Sequence, residues 1–201
     1  MFAAVVPGLS ELVARELDRL NGVRSTGAGH DGRADLIRFE VDRGARDRVW
    51  SLRSVEDLFV EVGEASRAAG DRPTALAGRL WRPELVQRAL SVWAETFRPL
   101  AGSMTFRVIV RVLQERTFLR TDLRRALGQT ITANRPKWRF ADPAQIEVWA
   151  SEYRSGQFIS GIRLSNAALR QHDGRAVERP GALRPTVAAA MVALAGAPAG
   201  T

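Results

Sequence analysis

The C-terminal part of the chain restricts the fold more than any other feature, because it predicts a helix without a polar face. Residues Pro185–Leu194 begin with a proline, which suits a first helical turn where no N–H donor is needed, and continue almost entirely with apolar residues. A helix that is apolar on all sides needs protein contacts on several of them. Either the preceding residues enclose this helix, or it begins a further domain that the 201-residue sequence lacks. We favour the second interpretation.

The composition is that of a globular protein with a strong excess of positive charge. Hydrophobic residues make up 45% of the chain and charged residues 26%, which suits one large domain or two small ones. The net charge of +8 comes almost wholly from arginine, since Lys137 is the only lysine. A GC-rich coding sequence would explain arginine in place of lysine, but not the excess. Guanidinium groups form paired hydrogen bonds with phosphate, so the excess favours a polyanionic partner.

Several classes of site and location are disfavoured by what the sequence lacks. It has no cysteine, so disulfides and thiolate chemistry are excluded. The two histidines, His30 and His172, each lie alone among polar residues, which gives a metal site or a Ser-His-Asp triad little to build on. No apolar run approaches the roughly 18 residues of a membrane span, and the N-terminus is too short for a signal sequence. We expect a cytoplasmic protein without a metal site.

The first 65 residues predict a ferredoxin-like lobe. Their hydrophobic periodicity alternates in the order strand, helix, strand, strand, helix, strand, which is the split βαβ arrangement. The predicted elements are 2–6, 9–20, 23–26, 34–41, 45–52 and 58–62. The class is therefore α+β, with a βαββαβ lobe at residues 1–65.

Residues 66–165 predict a second, α/β domain, after a connection at 63–72 that is rich in polar and small residues. A helix is predicted at 83–97 and another at 121–133, with Thr121 as its N-cap. The strongest strand pattern is 104–113, and two further strands, 146–150 and 158–164, predict a hairpin. Residues 166–201 form a linker and the final helix.

A glycine motif, Gly27–Gly32, matches the dinucleotide-binding pattern G-x-G-x-x-G but lies in the wrong context. That motif requires a helix to begin at its end, whereas a strand pattern follows here. We interpret it as a hairpin loop.

The segment between Gln114 and Arg139 has seven basic and two acidic residues, a local charge of +5. On a helix from Thr121, the side chains of Arg120, Arg124 and Arg125 project away from the apolar face and can hold phosphates together. Trp138, between two basic residues, could stack a base, although a tryptophan in this setting more often packs against its own domain.

Seven stretches of the sequence together resemble one enzyme family. They are Pro7–Leu12, Ser54–Val60, Thr105–Val108, Arg120–Gly128, Ile146–Trp149, Gly161–Ser165 and Arg179–Met191. In this order they resemble the THUMP-containing RNA methyltransferases, specifically the group that modifies the exocyclic (N2) nitrogen of guanosine in tRNA or ribosomal RNA. The match covers nearly the whole chain. Its most diagnostic part is the last stretch, which in the family leads into the methyltransferase domain.

The resemblance implies an N-terminal ferredoxin-like lobe, a THUMP domain that binds structured RNA, and a Rossmann-like domain that uses S-adenosylmethionine. The family's Gly-rich cofactor turn and its Asn/Asp-Pro-Pro-aromatic motif are missing here, and Asp142–Ala144 lacks the second proline and the aromatic residue. We therefore expect the RNA-binding part of such an enzyme, truncated or separately encoded, without catalytic, cofactor-binding or metal-binding residues. S-adenosylmethionine would bind to the missing domain.

The expected partners are structured RNA, foremost tRNA, and a methyltransferase domain or subunit that contacts residues 185–194. The expected RNA-binding residues are the basic side chains of the 114–139 segment and two arginines near the domain junction. They are Arg116, Arg120, Arg124, Arg125, Arg135, Lys137, Arg139, Arg163 and Arg184.

Two other functions remain open at this point. Ferredoxin-like lobes also serve as small-molecule-sensing regulatory modules, because a fold does not fix a function. Such a module would be stabilised by a metabolite and indifferent to tRNA. Alternatively, the chain is the RNA-binding subunit of a two-chain methyltransferase, in which case it would co-purify with a catalytic subunit.

Overall fold

The computed structural model describes residues 1–30, 33, 35–66, 72–113, 118–165 and 183–196. The chain forms two compact units. Unit 1 comprises Met1–Leu58 and Ser165–Thr201, and unit 2 comprises Phe59–Leu164. The fold is mixed α+β, as predicted, and most of the strand pairings among the described residues are antiparallel.

Unit 1 has the predicted βαββαβ order. Its elements are β1 (Phe2–Val5), α1 (Ser10–Asp18), β2 (Val23–Ser25), β3 (Leu36–Val41), a 3₁₀-helix (Arg43–Ser51) and the start of β4 (Val55–Ser66). Strand β3 pairs antiparallel with both β1 and β2. Helix α1 turns Val13 and Leu17 into the core, as its apolar spacing predicts.

The second helical segment of unit 1 differs from the prediction in type. An α-helix was expected at 45–52, and a 3₁₀-helix occupies Arg43–Ser51. Only Ala45 and Val49 of this segment are buried, and Gly44 lowers α-helix propensity, so the tighter helix suits a short connection.

The predicted C-terminal helix is present in unit 1 as α5 (Pro185–Leu194). Thr186 and Ala190 are buried, whereas Met191, Val192 and Leu194 are exposed. The described part of the chain therefore does not enclose this helix. The preceding residues Arg179–Ala182, together with His172, Arg116 and the Asp31–Gly32 part of the glycine motif, lie outside the described residues.

Unit 2 contains the predicted helices and strands and two elements that were not predicted. After β4 come α2 (Pro73–Leu80), α3 (Pro83–Thr96), β5 (Thr105–Arg111), α4 (Arg120–Asn134), β6 (Arg139–Phe140), β7 (Ile146–Arg154) and β8 (Gln157–Arg163). Helix α2 and the two-residue strand β6 were missed because each is too short for its periodicity to stand out.

The strand order in unit 2 is β4-β8-β7-β5-β6. Strands β7 and β8 form the predicted antiparallel hairpin, and β5 runs parallel to both β6 and β7. The α4 helix, which connects β5 to β6, lies against the face of β5 that presents Phe106 and Val108.

The two units divide between Leu58 and Phe59, whereas the predicted domain boundary lies between residues 65 and 66. Both positions fall within the 12-residue strand β4, which contributes to both units. Because the strand is continuous, the local composition does not mark where one unit ends. Among the described residues, no helix is long and apolar enough to span a membrane.

Candidate functional site

An open groove of about 530 Å³ lies between α4 and the neighbouring strands in unit 2. The helix contributes Thr121, Arg124, Arg125, Gly128, Gln129 and Thr132, and the strands contribute Phe106, Val108 and Phe140. One wall is thus polar and basic, and the other is apolar and aromatic. Such a surface offers both charged donors and a flat ring to a ligand.

The sequence of α4 determines which side chains reach the groove. Leu123, Leu127 and Ile131 are fully buried, so the opposite face of the helix is exposed. At the start of the helix, the Asp122 carboxylate accepts a hydrogen bond from the Leu119 backbone N–H at 3.1 Å, which caps the first turn. The predicted outward orientation of Arg120, Arg124 and Arg125 is confirmed, since all three are exposed.

The two arginines of the groove are available to a ligand. Among the described residues Arg124 has no carboxylate partner, and the nearest carboxylate oxygen to Arg125 belongs to Asp122, at 3.9 Å on the same exposed helix face. A long, exposed ion pair of this kind contributes little to stability, so Arg125 can exchange the Asp122 carboxylate for another anion.

Three further predicted residues follow α4 directly. Arg135 is half-buried and donates a hydrogen bond to the Gln87 side-chain oxygen at 3.0 Å. Lys137 and Arg139 are exposed, and neither has a carboxylate partner in the part of the chain that the structure describes.

The aromatic residue at the groove is Phe140 rather than Trp138. Trp138 is only 6% exposed and its ring centroid lies 6.3 Å from that of Phe106, so it packs within its own unit. Phe140 is 62% exposed and meets Phe106 edge-on at 6.2 Å. Phe140 is not among the predicted site residues, because β6 is too short to be predicted from the sequence. No local pattern marks it, because Phe140 is exposed at a two-residue strand while Trp138, two residues earlier, is buried.

Two predicted RNA-binding arginines are paired with carboxylates and do not line the groove. The Arg163 side chain is only 10% exposed and its guanidinium lies 3.0 Å from the Glu147 carboxylate. Arg184 belongs to unit 1 and donates to the Glu56 carboxylate at 2.7 Å. Their role in RNA binding stays a prediction.

Glu147 is the centre of a charged network on the other face of the unit 2 sheet. It accepts hydrogen bonds from the Trp149 indole at 3.0 Å, from Arg107 at 2.7 Å and from Arg163 at 3.0 Å. Arg107 also donates to Asp142 at 2.6 Å. Burial by itself raises the pKa of Glu147, but the hydrogen bond from Trp149 and the two arginines outweigh it, so the pKa lies below its usual value of 4.5.

The described residues contain no group of three or more His, Cys, Asp or Glu side chains that could hold a metal ion. The groove lining likewise consists of basic, polar and aromatic side chains without a carboxylate. This arrangement suits the binding of an anionic ligand with planar groups.

Comparison with known proteins identifies the fold but not a sequence family. No protein-family model matches the chain, and no curated protein matches it significantly. The crystal structure of TrmN from Thermus thermophilus matches with a TM-score of 0.70 and 23% identity, over 98% of this chain and 54% of that one. A predicted N6-adenine-specific DNA methylase from Listeria monocytogenes matches with a TM-score of 0.70 and 19% identity, over 96% and 47%.

A third structure, a 4-thiouridine synthetase–RNA complex with bound ATP, matches with a TM-score of 0.52 and 11% identity, over 81% of this chain and 40% of that one. The chain thus spans about half of the first two structures and less of the third. On this evidence, the chain has a THUMP-type α+β fold, in common with proteins that are considerably longer than itself.

Proposed function

We propose that this chain is the RNA-binding portion of an S-adenosylmethionine-dependent RNA methyltransferase, with tRNA as its RNA. The observation that carries the proposal is the groove of unit 2, where Arg124 and Arg125 face the exposed ring of Phe140. Guanidinium groups bind phosphate through paired hydrogen bonds, and an exposed aromatic ring can stack an unpaired base.

The distribution of charge between the two units supports the same proposal. Unit 1 has 13 basic and 12 acidic residues, whereas unit 2 has 17 basic and 10 acidic residues. Unit 2 therefore carries almost all of the net charge of +8. A concentration of positive charge in one unit attracts a polyanion to that unit.

The fold gives further support, since one of the matching structures is a complex of a 4-thiouridine synthetase with RNA. The finer part of the proposal concerns the catalytic domain, which would bind S-adenosylmethionine and modify the exocyclic nitrogen of guanosine. That part is supported by the sequence resemblance alone. We propose no catalytic or cofactor-binding residue in this chain.

The proposal is tested by measuring the affinity for a fluorescein-labelled tRNA transcript by fluorescence anisotropy over a series of salt concentrations. If about five phosphates are neutralised, the logarithm of the binding constant should fall with the logarithm of salt concentration at a slope of roughly −4. The double substitution Arg124→Ala and Arg125→Ala should weaken binding and make the slope less steep by about two units.

A matched control removes the same charge from unit 1. Arg15→Ala with Arg19→Ala takes two exposed arginines from α1 and its C-cap, and should leave the affinity and the slope close to those of the wild type. Absence of tRNA binding, an affinity that does not depend on salt, or equal behaviour of the two double variants would contradict the proposal. Thermal stabilisation by a metabolite together with indifference to tRNA would favour a small-molecule sensor instead.

A further inference from the structure

Strand β5 has a second face that the groove does not use. Its residues Phe106 and Val108 line the groove, so the alternating residues Arg107 and Arg111 project from the opposite face of the sheet. Arg107 is half-buried and Arg111 is exposed. This opposite face therefore also carries positive charge.

Among the described strands, none pairs with most of one edge of β5. Strand β6 pairs with β5 only at Thr105 and Phe106. From Arg107 to Arg111, no described strand pairs with β5 on that side. No described strand therefore separates the groove from the opposite face along this part of the edge.

Arg111 and Arg163 both lie over the Trp149 ring, but only Arg111 lacks a carboxylate partner among the described residues. The Arg111 guanidinium carbon lies 4.5 Å from the centroid of the Trp149 ring, which is its diagonal neighbour, since Arg111 is in register with Ser151. Trp149 is itself only 6% exposed. Among the described residues Arg111 has no carboxylate partner, whereas Arg107 and Arg163 are both paired with Glu147.

Stacking on an aromatic ring fixes a guanidinium without using its hydrogen-bond donors. Because the Arg111 guanidinium carbon lies over the ring and the attraction does not consume a hydrogen bond, the N–H groups of Arg111 stay available to an anion. Phosphate, which accepts such hydrogen bonds in pairs, is the anion that RNA presents at every nucleotide.

We infer that Arg111 is a second RNA phosphate-binding position, on the sheet face opposite the groove. Trp149 holds its guanidinium in place, and RNA bound in the groove reaches it across the open edge of β5. The inference rests on the proposed function, and it adds to the predicted RNA-binding residues an arginine of β5 that was not among them.

A different role for Arg111 makes a different prediction. Charged side chains on an exposed strand edge also prevent edge-to-edge association between copies of a protein. In that role, loss of Arg111 would change the association state and leave the affinity for RNA unchanged. Size-exclusion chromatography of each variant therefore accompanies the binding measurements.

The test compares Arg111→Ala with Arg88→Ala in anisotropy titrations of the labelled tRNA transcript. Arg88 is a matched control, because it is an exposed arginine of unit 2 on α3. At 0.1 M salt, Arg111→Ala should raise the dissociation constant about fivefold and make the salt slope less steep by about one unit, whereas Arg88→Ala should change neither. Arg111→Lys should restore the slope but only part of the affinity, because an ammonium group lacks the paired donor geometry.

The possible results separate this inference from the proposed function. If Arg111→Ala behaves like Arg88→Ala while the Arg124→Ala and Arg125→Ala double variant weakens binding, the inference is overturned and the proposed function stands. The inference is also overturned if Arg111→Ala changes only the association state. If the wild-type protein does not bind the transcript at any salt concentration, the proposed function itself fails.

Discussion

The two units differ in their balance of charge, since unit 1 has 13 basic and 12 acidic residues and unit 2 has 17 basic and 10 acidic residues. In unit 1 each of four described arginines lies within 4.0 Å of a carboxylate, in the pairs Arg15–Glu11, Arg24–Glu40, Arg33–Asp35 and Arg184–Glu56. Unit 2 likewise has four described arginines near a carboxylate, namely Arg82, Arg107, Arg125 and Arg163, but its excess of basic residues leaves others unpaired. Among the described residues, Arg111, Arg124 and Arg139 have no carboxylate partner. Positive charge that is paired within the protein cannot also bind a polyanion at full strength. Within unit 2, the arginines without a carboxylate partner are therefore the ones that can bind a polyanion at full strength.

The largest effect is expected for Gly63→Ala, which tests how closely strand β4 packs against helix α2 in unit 2. A Cβ at residue 63 would meet the Arg79 carbonyl oxygen and lie 2.8 Å from the Leu80 carbonyl carbon, so strand β4 and helix α2 would have to separate. We expect the free energy of unfolding to fall by about 3 kcal/mol or more, measured by chemical denaturation. The affinity for tRNA should fall with it if the framework of unit 2 positions the arginines.

Gly78→Ala is the matched control for that substitution. Gly78 lies in α2, and a Cβ there would have no neighbour within 4 Å. Alanine should therefore stabilise the helix by about 0.5–1 kcal/mol. Equal stability of the two variants would show that the strand and helix of unit 2 are less closely packed than the structure indicates.

The second-largest effect is expected at Glu147, a carboxylate of unit 2 that forms ion pairs with two arginines. In Glu147→Gln, Arg107 and Arg163 lose the charge of their shared partner, so we expect a loss of about 1–3 kcal/mol in the free energy of unfolding near pH 7. Glu11→Gln, at an exposed site of unit 1, should cost much less.

The difference in the free energy of unfolding between the wild type and Glu147→Gln should become smaller as the pH falls. Folding lowers the pKa of Glu147 below 4.5, so its stabilising contribution is complete above about pH 4.5 and is lost as the pH falls below that value. The stabilities of the wild type and Glu147→Gln should therefore converge in acid. A difference that stays constant from pH 7 to pH 3 would show that the carboxylate charge is not the cause.

The smallest effect is expected for the unit 1 pair between Arg24 and Glu40. The two residues face each other across β2 and β3, but their side chains are 76% and 65% exposed. Water screens such a pair, so Arg24→Ala should leave the thermal midpoint almost unchanged at both low and high salt. A loss of stability larger than that of Glu147→Gln would overturn the view that the pairs of unit 1 are weak and local.

Helix α4 shows how far the sequence could predict the site. The spacing of Leu123, Leu127 and Ile131 fixed which face of the helix is buried, and so placed Arg124 and Arg125 outward. The same reasoning could not place Phe140, because its exposure depends on β6 being a two-residue strand at the sheet edge. Edge position is a property of the assembled sheet.

The sequence by itself determined the α+β class, the order of most helices and strands, and the excess of arginine, because these follow from composition and from spacing over a few residues. Only the tertiary structure decided which arginines are paired. Arg163 meets Glu147 across the β7–β8 hairpin, and Arg107 meets the same carboxylate although 40 residues separate them. Strand register brings these charges together, and a linear pattern does not contain it.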